Sequence, residues 1–142
     1  MKINPAIFKS YDIRGIYPEE LNDEAAFKIG RAFVRYTGAK KVAVGRDARI
    51  ASPALFKALT KGIVDQGADV YDIGQVPTEC LYFAVGNYDF DAGVMITASH
   101  NPKEYNGFKM VLKSGDFIKI ISGKNIADTV EHSGFKAEKN SQ

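Results

Sequence analysis

Apolar and polar positions change period several times along this chain, and each change marks an element. Asn22-Asp23-Glu24 can cap and charge a helix start; Ala26, Ile29, Phe33 and Thr37 then share one face before Gly38, which predicts an amphipathic, half-buried helix. Lys41-Val42-Ala43-Val44-Gly45 predicts a short buried strand. Ser52 is placed as the N-cap and Pro53 as the first residue of a second helix that runs to about Gln66 and closes at Gly67. Its core face is Leu55, Leu59, Gly62 and Ile63. Asp69 to Gly74 predicts the next strand, and Thr78-Glu79 opens a third helix through about Asn87, rich in Leu81, Phe83, Ala84 and Val85.

The run Gly93-Val94-Met95-Ile96 is apolar without alternation, which suits a strand covered on both faces. It ends in Thr97-Ala98-Ser99-His100-Asn101-Pro102. Pro102 has no N–H to offer a neighbouring strand and biases Asn101 away from the α region, so Asn101 and Pro102 shape a stiff loop. Phe108 to Leu112 follows too soon for a helical crossover and is expected to pair antiparallel beside this strand, folding Lys109 back toward Ser99. After a turn at Lys113-Ser114-Gly115-Asp116 come a short run, Phe117 to Ile121, and a last helix capped by Ser122 with Ile126 and Val130 inward. A polar tail follows from about Ser133.

Strands alternating with helical connectors imply parallel pairing and right-handed crossovers. The expected fold is therefore α/β: a three-layer α/β/α sandwich with a mixed, mostly parallel sheet of about four strands, the last antiparallel. Gly45-Arg46-Asp47, Gly74-Gln75 and Ala98-Ser99-His100 should then emerge at one carboxyl edge, where open α/β sheets bind ligands. That places Arg46, Ser99 and His100 together. The stretch Ile7 to Gly15 mixes large apolar groups with Tyr11, Asp12 and Arg14 and reads as a strand-like or irregular arm.

Length and composition narrow the class. A chain of 142 residues with 45% hydrophobic and 25% charged positions suits one globular domain over residues 1–142, and no apolar run approaches the ~20 residues of a membrane span. A net charge of +2, with cations scattered among acids, lacks the basic stripe of a nucleic-acid binder. One cysteine, Cys80, read as a packing residue, and no apolar leader at the N-terminus point to a cytoplasmic protein.

Candidate chemistry centres on Ser99. A serine hydroxyl is a weak nucleophile that needs a base, positive charge or a pre-loaded phosphoryl group. Gly-x-Ser-x-Gly is absent, and a histidine adjacent in sequence is poorly placed as a triad base, which disfavours a hydrolase. No Walker-type loop or dinucleotide fingerprint occurs. Phosphorylated Ser99 would carry about −1.5 to −2 charge, for which Lys109 and Arg14 supply fixed cations and His100 a donor. Taken singly, these residues also suit structural roles: a capped turn at Ser99 to Asn101, a snorkelling Lys109, a surface Arg14, and a local Arg46-Asp47 pair.

Three segments together resemble one family. Thr97 to Pro102 resembles the phosphoserine loop of the α-D-phosphohexomutases, Tyr105-Asn106-Gly107-Phe108-Lys109 its lysine-bearing segment, and Ser10-Tyr11-Asp12-Ile13-Arg14-Gly15 its N-terminal arginine motif. The last is nearer the phosphomannomutase/phosphoglucomutase branch. The resemblance implies the first, phosphoserine-bearing domain of a four-domain enzyme that interconverts hexose 1-phosphate and hexose 6-phosphate through a hexose 1,6-bisphosphate. It implies Ser99 as phosphoryl carrier and as Mg²⁺ contact through its phosphate, and His100 and Lys109 orienting that phosphate. Lys109 and Arg14 would assist the sugar-hydroxyl proton, Tyr11 would line the sugar side, and Arg46 and Asp47 would lend support from behind. The family's Asp-Gly-Asp-Gly-Asp-Arg metal loop is not found in this sequence, so the chain is expected to be inactive alone, with hexose phosphate and the remaining mutase domains as partners. The competing reading is a non-catalytic phosphosugar- or protein-binding module.

Overall fold

The computed structural model describes residues 3–97, 101–102 and 104–132. The expectations for Ser99, His100 and the tail from Ser133 lie outside the described residues. Helix α1 (Asp23–Thr37) starts where the Asn22 side chain accepts the Ala25 N–H and ends where Gly38, at φ 68°, takes the left-handed conformation that a Cβ would disfavour. Strand β2 (Lys41–Arg46), helix α2 (Ser52–Asp65), strand β3 (Asp69–Gln75), helix α3 (Thr78–Asn87) and strand β4 (Ala92–Ile96) follow, as their patterns predict. Strand β5 (Tyr105–Ser114), strand β6 (Phe117–Ile120) and helix α4 (Gly123–His132) complete the order, and strand β1 (Ile13–Ile16) precedes them all.

Among the described residues the sheet has six strands, where the sequence pattern suggests about four, in the order β1-β5-β4-β2-β3 with β6 also on β5. Strand β2 lies parallel to β3 and β4, while β5 runs antiparallel to β4, β1 and β6. The added strands have one cause. Strand β5 is longer than its apolar run, and on the edge away from β4 its first half pairs β1 (Ile16↔Tyr105 to Ile13↔Phe108) and its second half pairs β6. The stretch before Ile16, expected as a strand-like or irregular arm, is a strand from Ile13 on, where it meets its partner β5.

Alternation of side chains divides the strands between two cores, giving the expected three-layer α/β/α arrangement. Val42, Val44, Val94, Ile96, Phe108 and Met110 pack with Ile29, Phe33, Leu55, Leu59, Ile63 and Ile126 of α1, α2 and α4. On the other face, Ala43, Met95 and Val111 pack with Leu81 and Val85 of α3. Every residue of β4 is buried, as an unbroken apolar run requires.

Ser52 and Cys80 depart from the places their sequence context suggests. Ser52 is not the N-cap of α2: Ala51 holds that place with no side-chain bond, and the buried Ser52 hydroxyl instead donates to Asp47 Oδ1 at 2.8 Å. Its oxygen also accepts from Asn106 Nδ2 at 3.0 Å, so the hydroxyl is engaged as donor and as acceptor within this buried network. Cys80 is exposed, because Leu81, Ala84 and Val85 form the buried face of α3 and leave Cys80 and Phe83 outside.

Candidate active site

The register of β1 against β5 builds the site. Ile13 faces Phe108 and Arg14 faces Gly107, so one step back along β1 Asp12 comes opposite Lys109. With a period of two, Ile13 and Phe108 enter the core beneath α1 and α4, while Asp12, Arg14 and Lys109 share the opposite face. There Asp12 Oδ2 accepts from Arg14 Nη2 at 2.9 Å and lies 3.4 Å from Lys109 Nζ. Arg14 Nη1 donates to Asn101 Oδ1 at 3.2 Å.

Burial is uneven across this cluster. The Asp12 side chain is 4% exposed, against 32% for Arg14 and 25% for Lys109, so the carboxylate is a buried anchor between two cations that still reach solvent. Asp12 Oδ1 and Arg14 Nε are buried and have no partner among the described residues. Tyr82 of α3 lies near enough to feel Asp12; burial pushes its phenol pKa up, and the Asp12 and Glu79 carboxylates add to the shift. Tyr11 is 76% exposed and lines a groove of about 620 Å³ with Lys9, Ser10, Arg14 and Lys124.

Asp12→Asn would keep the shape of this anchor and remove its charge, leaving Arg14 and Lys109 to repel each other. A charge-assisted bond is worth ~1.5–3 kcal/mol, and discounting for the exposure of both cations gives a loss of about 1 kcal/mol. Urea unfolding should show that loss at low salt and a smaller one at high salt, where like-charge repulsion is screened. An unchanged midpoint in both would show that the carboxylate does not balance the two cations.

The structure brings Arg14, Lys109 and Asn101 together, and Arg46 stands opposite Ile96 at the end of β4 with its guanidinium turned to β3 and α2. Arg46 pairs with Asp72 at 2.9 Å and its guanidinium lies over the Phe56 ring, 4.7 Å from the centroid. Besides Arg14, Arg49 reaches the loop after β4, where it donates to the carbonyls of Asn101, Pro102 and Tyr105. Neither Arg49 nor the anchoring role of Asp12 stands out in sequence. The only available signals are their places in Arg46-Asp47-Ala48-Arg49 and Tyr11-Asp12-Ile13-Arg14.

Ser99 and His100 lie outside the described residues, but the chain on either side is held. The Thr97 N–H donates to Gly107 O, the Asp47 N–H to Ile96 O, and Asn101 takes the bonds from Arg14 and Arg49. Among the described residues no group of three His, Cys, Asp or Glu side chains is placed to hold a metal ion. No helix among them is long and apolar enough to cross a membrane.

Comparison with known proteins bears on the fold and the family. Residues 5–137 match the family model described as phosphoglucomutase/phosphomannomutase, alpha/beta/alpha domain I. The chain is 44% identical over 134 residues to a phosphoglucomutase of Neisseria meningitidis, covering 92% of this chain and 29% of that protein. It is 47% identical over 116 residues to a phosphomannomutase of Klebsiella pneumoniae, covering 82% of this chain and 72% of that one. A crystal structure of a phosphoglucomutase/phosphomannomutase family protein from Burkholderia thailandensis superposes with a TM-score of 0.83 at 38% identity, over 93% of this chain and 31% of the other. Most of the length of the Neisseria relative thus has no counterpart here.

Proposed function

Since the chain belongs to the phosphoglucomutase/phosphomannomutase family and matches its domain I, we propose that it is the phosphoserine-bearing domain of an enzyme interconverting hexose 1-phosphates and hexose 6-phosphates of glucose or mannose. Ser99 carries the phosphoryl group. In transfer the Ser99 Oγ–P bond breaks as a sugar O–P bond forms, and the serine oxygen ends with the proton that the sugar hydroxyl gives up. The hexose 1,6-bisphosphate so formed reorients and returns its other phosphoryl group to Ser99.

The observation that carries this reading is the pair of cations, Arg14 and Lys109, set around one buried carboxylate beside the end of the strand that leads to Ser99. Phosphoryl transfer passes through a loose transition state with charge spread over the equatorial oxygens, so fixed positive charge is the main service a protein can render. Arg14 and Lys109 give that service, His100 adds a donor, and Tyr11 offers an exposed ring to the sugar. The described residues do not by themselves fit a Mg²⁺ ion. Its carboxylates would come from the remaining domains, and the work of this chain falls to its own side chains.

An apolar groove supports the place of those domains. Ile73, Val76, Cys80, Phe83, Tyr88 and Phe90 line it, and Phe83 and Tyr88 are 58% and 59% exposed. Contiguous apolar surface of this kind usually marks an interface, and the remaining mutase domains are its proposed occupant.

The test is a coupled assay for glucose 6-phosphate from glucose 1-phosphate with Mg²⁺ and bisphosphate present. The 142-residue chain should fold, unfold cooperatively and show no turnover, while the complete enzyme carrying it should turn over and lose activity on Ser99→Ala. Robust turnover by the chain alone would overturn the incomplete-site reading, and full activity of Ser99→Ala in the complete enzyme would overturn the carrier.

A further inference from the structure

Arg49 lies in the loop between β2 and α2, yet its guanidinium is spent on main-chain atoms far along the sequence. Nη2 donates to Asn101 O at 2.9 Å, and Nη1 donates to Pro102 O at 2.7 Å and Tyr105 O at 3.1 Å. Its side chain is 15% exposed, and Nε faces Asp47 Oδ2 at 3.3 Å. Asp47 is fixed in turn: Oδ1 accepts the Arg49 N–H and the Ser52 hydroxyl, and the Ser52 oxygen accepts from Asn106 Nδ2 at 3.0 Å. Ser52 and Asn106 are fully buried. The ring closes because Asn106 precedes Gly107, whose backbone pairs with Arg14.

We propose that Arg49 is a positioning residue for Arg14, acting through Asn101. It rests on the reading of Arg14 as a phosphoryl-site cation. The relay has two links: the Arg49 fork fixes the Asn101 main chain, and from that main chain the Asn101 side-chain oxygen meets Arg14 Nη1 at 3.2 Å. Together with Asp12 on Nη2, this holds the Arg14 guanidinium from two sides. A planar guanidinium can grip three carbonyls in one geometry, whereas an ammonium on a flexible stem cannot. Asp47 balances the Arg49 charge, so geometry is what Arg49 contributes.

Arg49→Lys keeps the charge and removes the fork. In the complete enzyme it should lower kcat by about 10- to 100-fold, the scale of a small misplacement of a catalytic group, with KM for hexose phosphate held within about twofold. Asn101→Ala, which leaves the Asn101 carbonyl available to Arg49, should lower kcat to the same degree, and the double variant should be no slower than either single one. In the 142-residue chain, NMR of the Arg14 guanidinium and the Asn101 side-chain amide should show both signals displaced by Arg49→Lys while the fold persists. Wild-type kcat in Arg49→Lys, multiplied losses in the double variant, or unmoved Arg14 and Asn101 signals would each overturn the proposal. Arg14→Ala with unchanged kcat would instead overturn the role given to Arg14 in catalysis, and the NMR comparison would still decide whether Arg49 positions it.

Discussion

Lys109→Met, made in the complete enzyme that carries this chain, is expected to lower kcat by ~10²–10³ while moving KM for hexose phosphate by no more than about twofold. Methionine keeps the unbranched stem, so the packing of Lys109 on β5 beside β4 survives and only the ammonium is lost. The size follows from what fixed charge does. It stabilises the transferring phosphoryl group most where negative charge shifts in the transition state, and removal of a single preorganised donor typically costs ~10²–10³ in rate. Asp12 strengthens the case, because a cation held against a buried carboxylate is set in place before substrate arrives. A variant with unchanged kcat and a raised KM would mean that Lys109 binds substrate uniformly and does not act on the transfer itself.

The largest expected effect on stability comes from the crossing of α1 and α2. A Cβ built on Gly62 would fall on the carbonyl oxygen of Phe27, and one built on Gly30 on the carbonyl of Leu59, so each helix approaches the other through the side chain that its glycine lacks. In an exposed helix, Gly→Ala stabilises by about 1 kcal/mol. Here the obstacle is backbone, which cannot swing aside, and the two helices would have to separate. Overpacking of this kind costs ~1–3 kcal/mol or more, so Gly62→Ala should destabilise the chain by roughly 3 kcal/mol and lower Tm by roughly 10 °C. A Tm at or above the parent value would show that the helices do not touch there.

The hydrophobic pattern carries most of the α/β frame because its signals are local. Asn22 and Gly38 bound α1 by their own chemistry, and β4 reads as a strand buried on both faces from its composition alone. Strand β1 was less legible. Four residues including Gly15 and Arg14 become a strand only because β5 offers them an edge, and that edge lies some ninety residues away. The same distance hides the site's supports. Arg49 reads as a surface charge in a loop because its acceptors lie 52 to 56 residues further along the chain. Asp12 reads as a polar residue of the arm until the β1/β5 register sets it against Lys109. The antiparallel pairing of β5 with β4 that carries Lys109 back along β4 was legible from the short connection, whereas the closeness of Arg14 to Lys109 depends on the β1/β5 register. Cys80 was misread for a related reason: α3 carries apolar residues around much of its circumference, and only its packing on β2 and β4 shows which side is buried.

The proposed role of Ser99 as phosphoryl carrier can be tested by direct labelling. The most direct measurement is intact mass followed by peptide mapping of the complete enzyme after incubation with hexose 1,6-bisphosphate. One added phosphoryl group is expected, on the peptide containing Ser99 and lost in Ser99→Ala. Ser52 is a poor rival, because its hydroxyl is buried between Asp47 and Asn106 with no room for a phosphate. Phosphate on Ser52 or Ser122 with none on Ser99 would show that Ser99 is not the carrier.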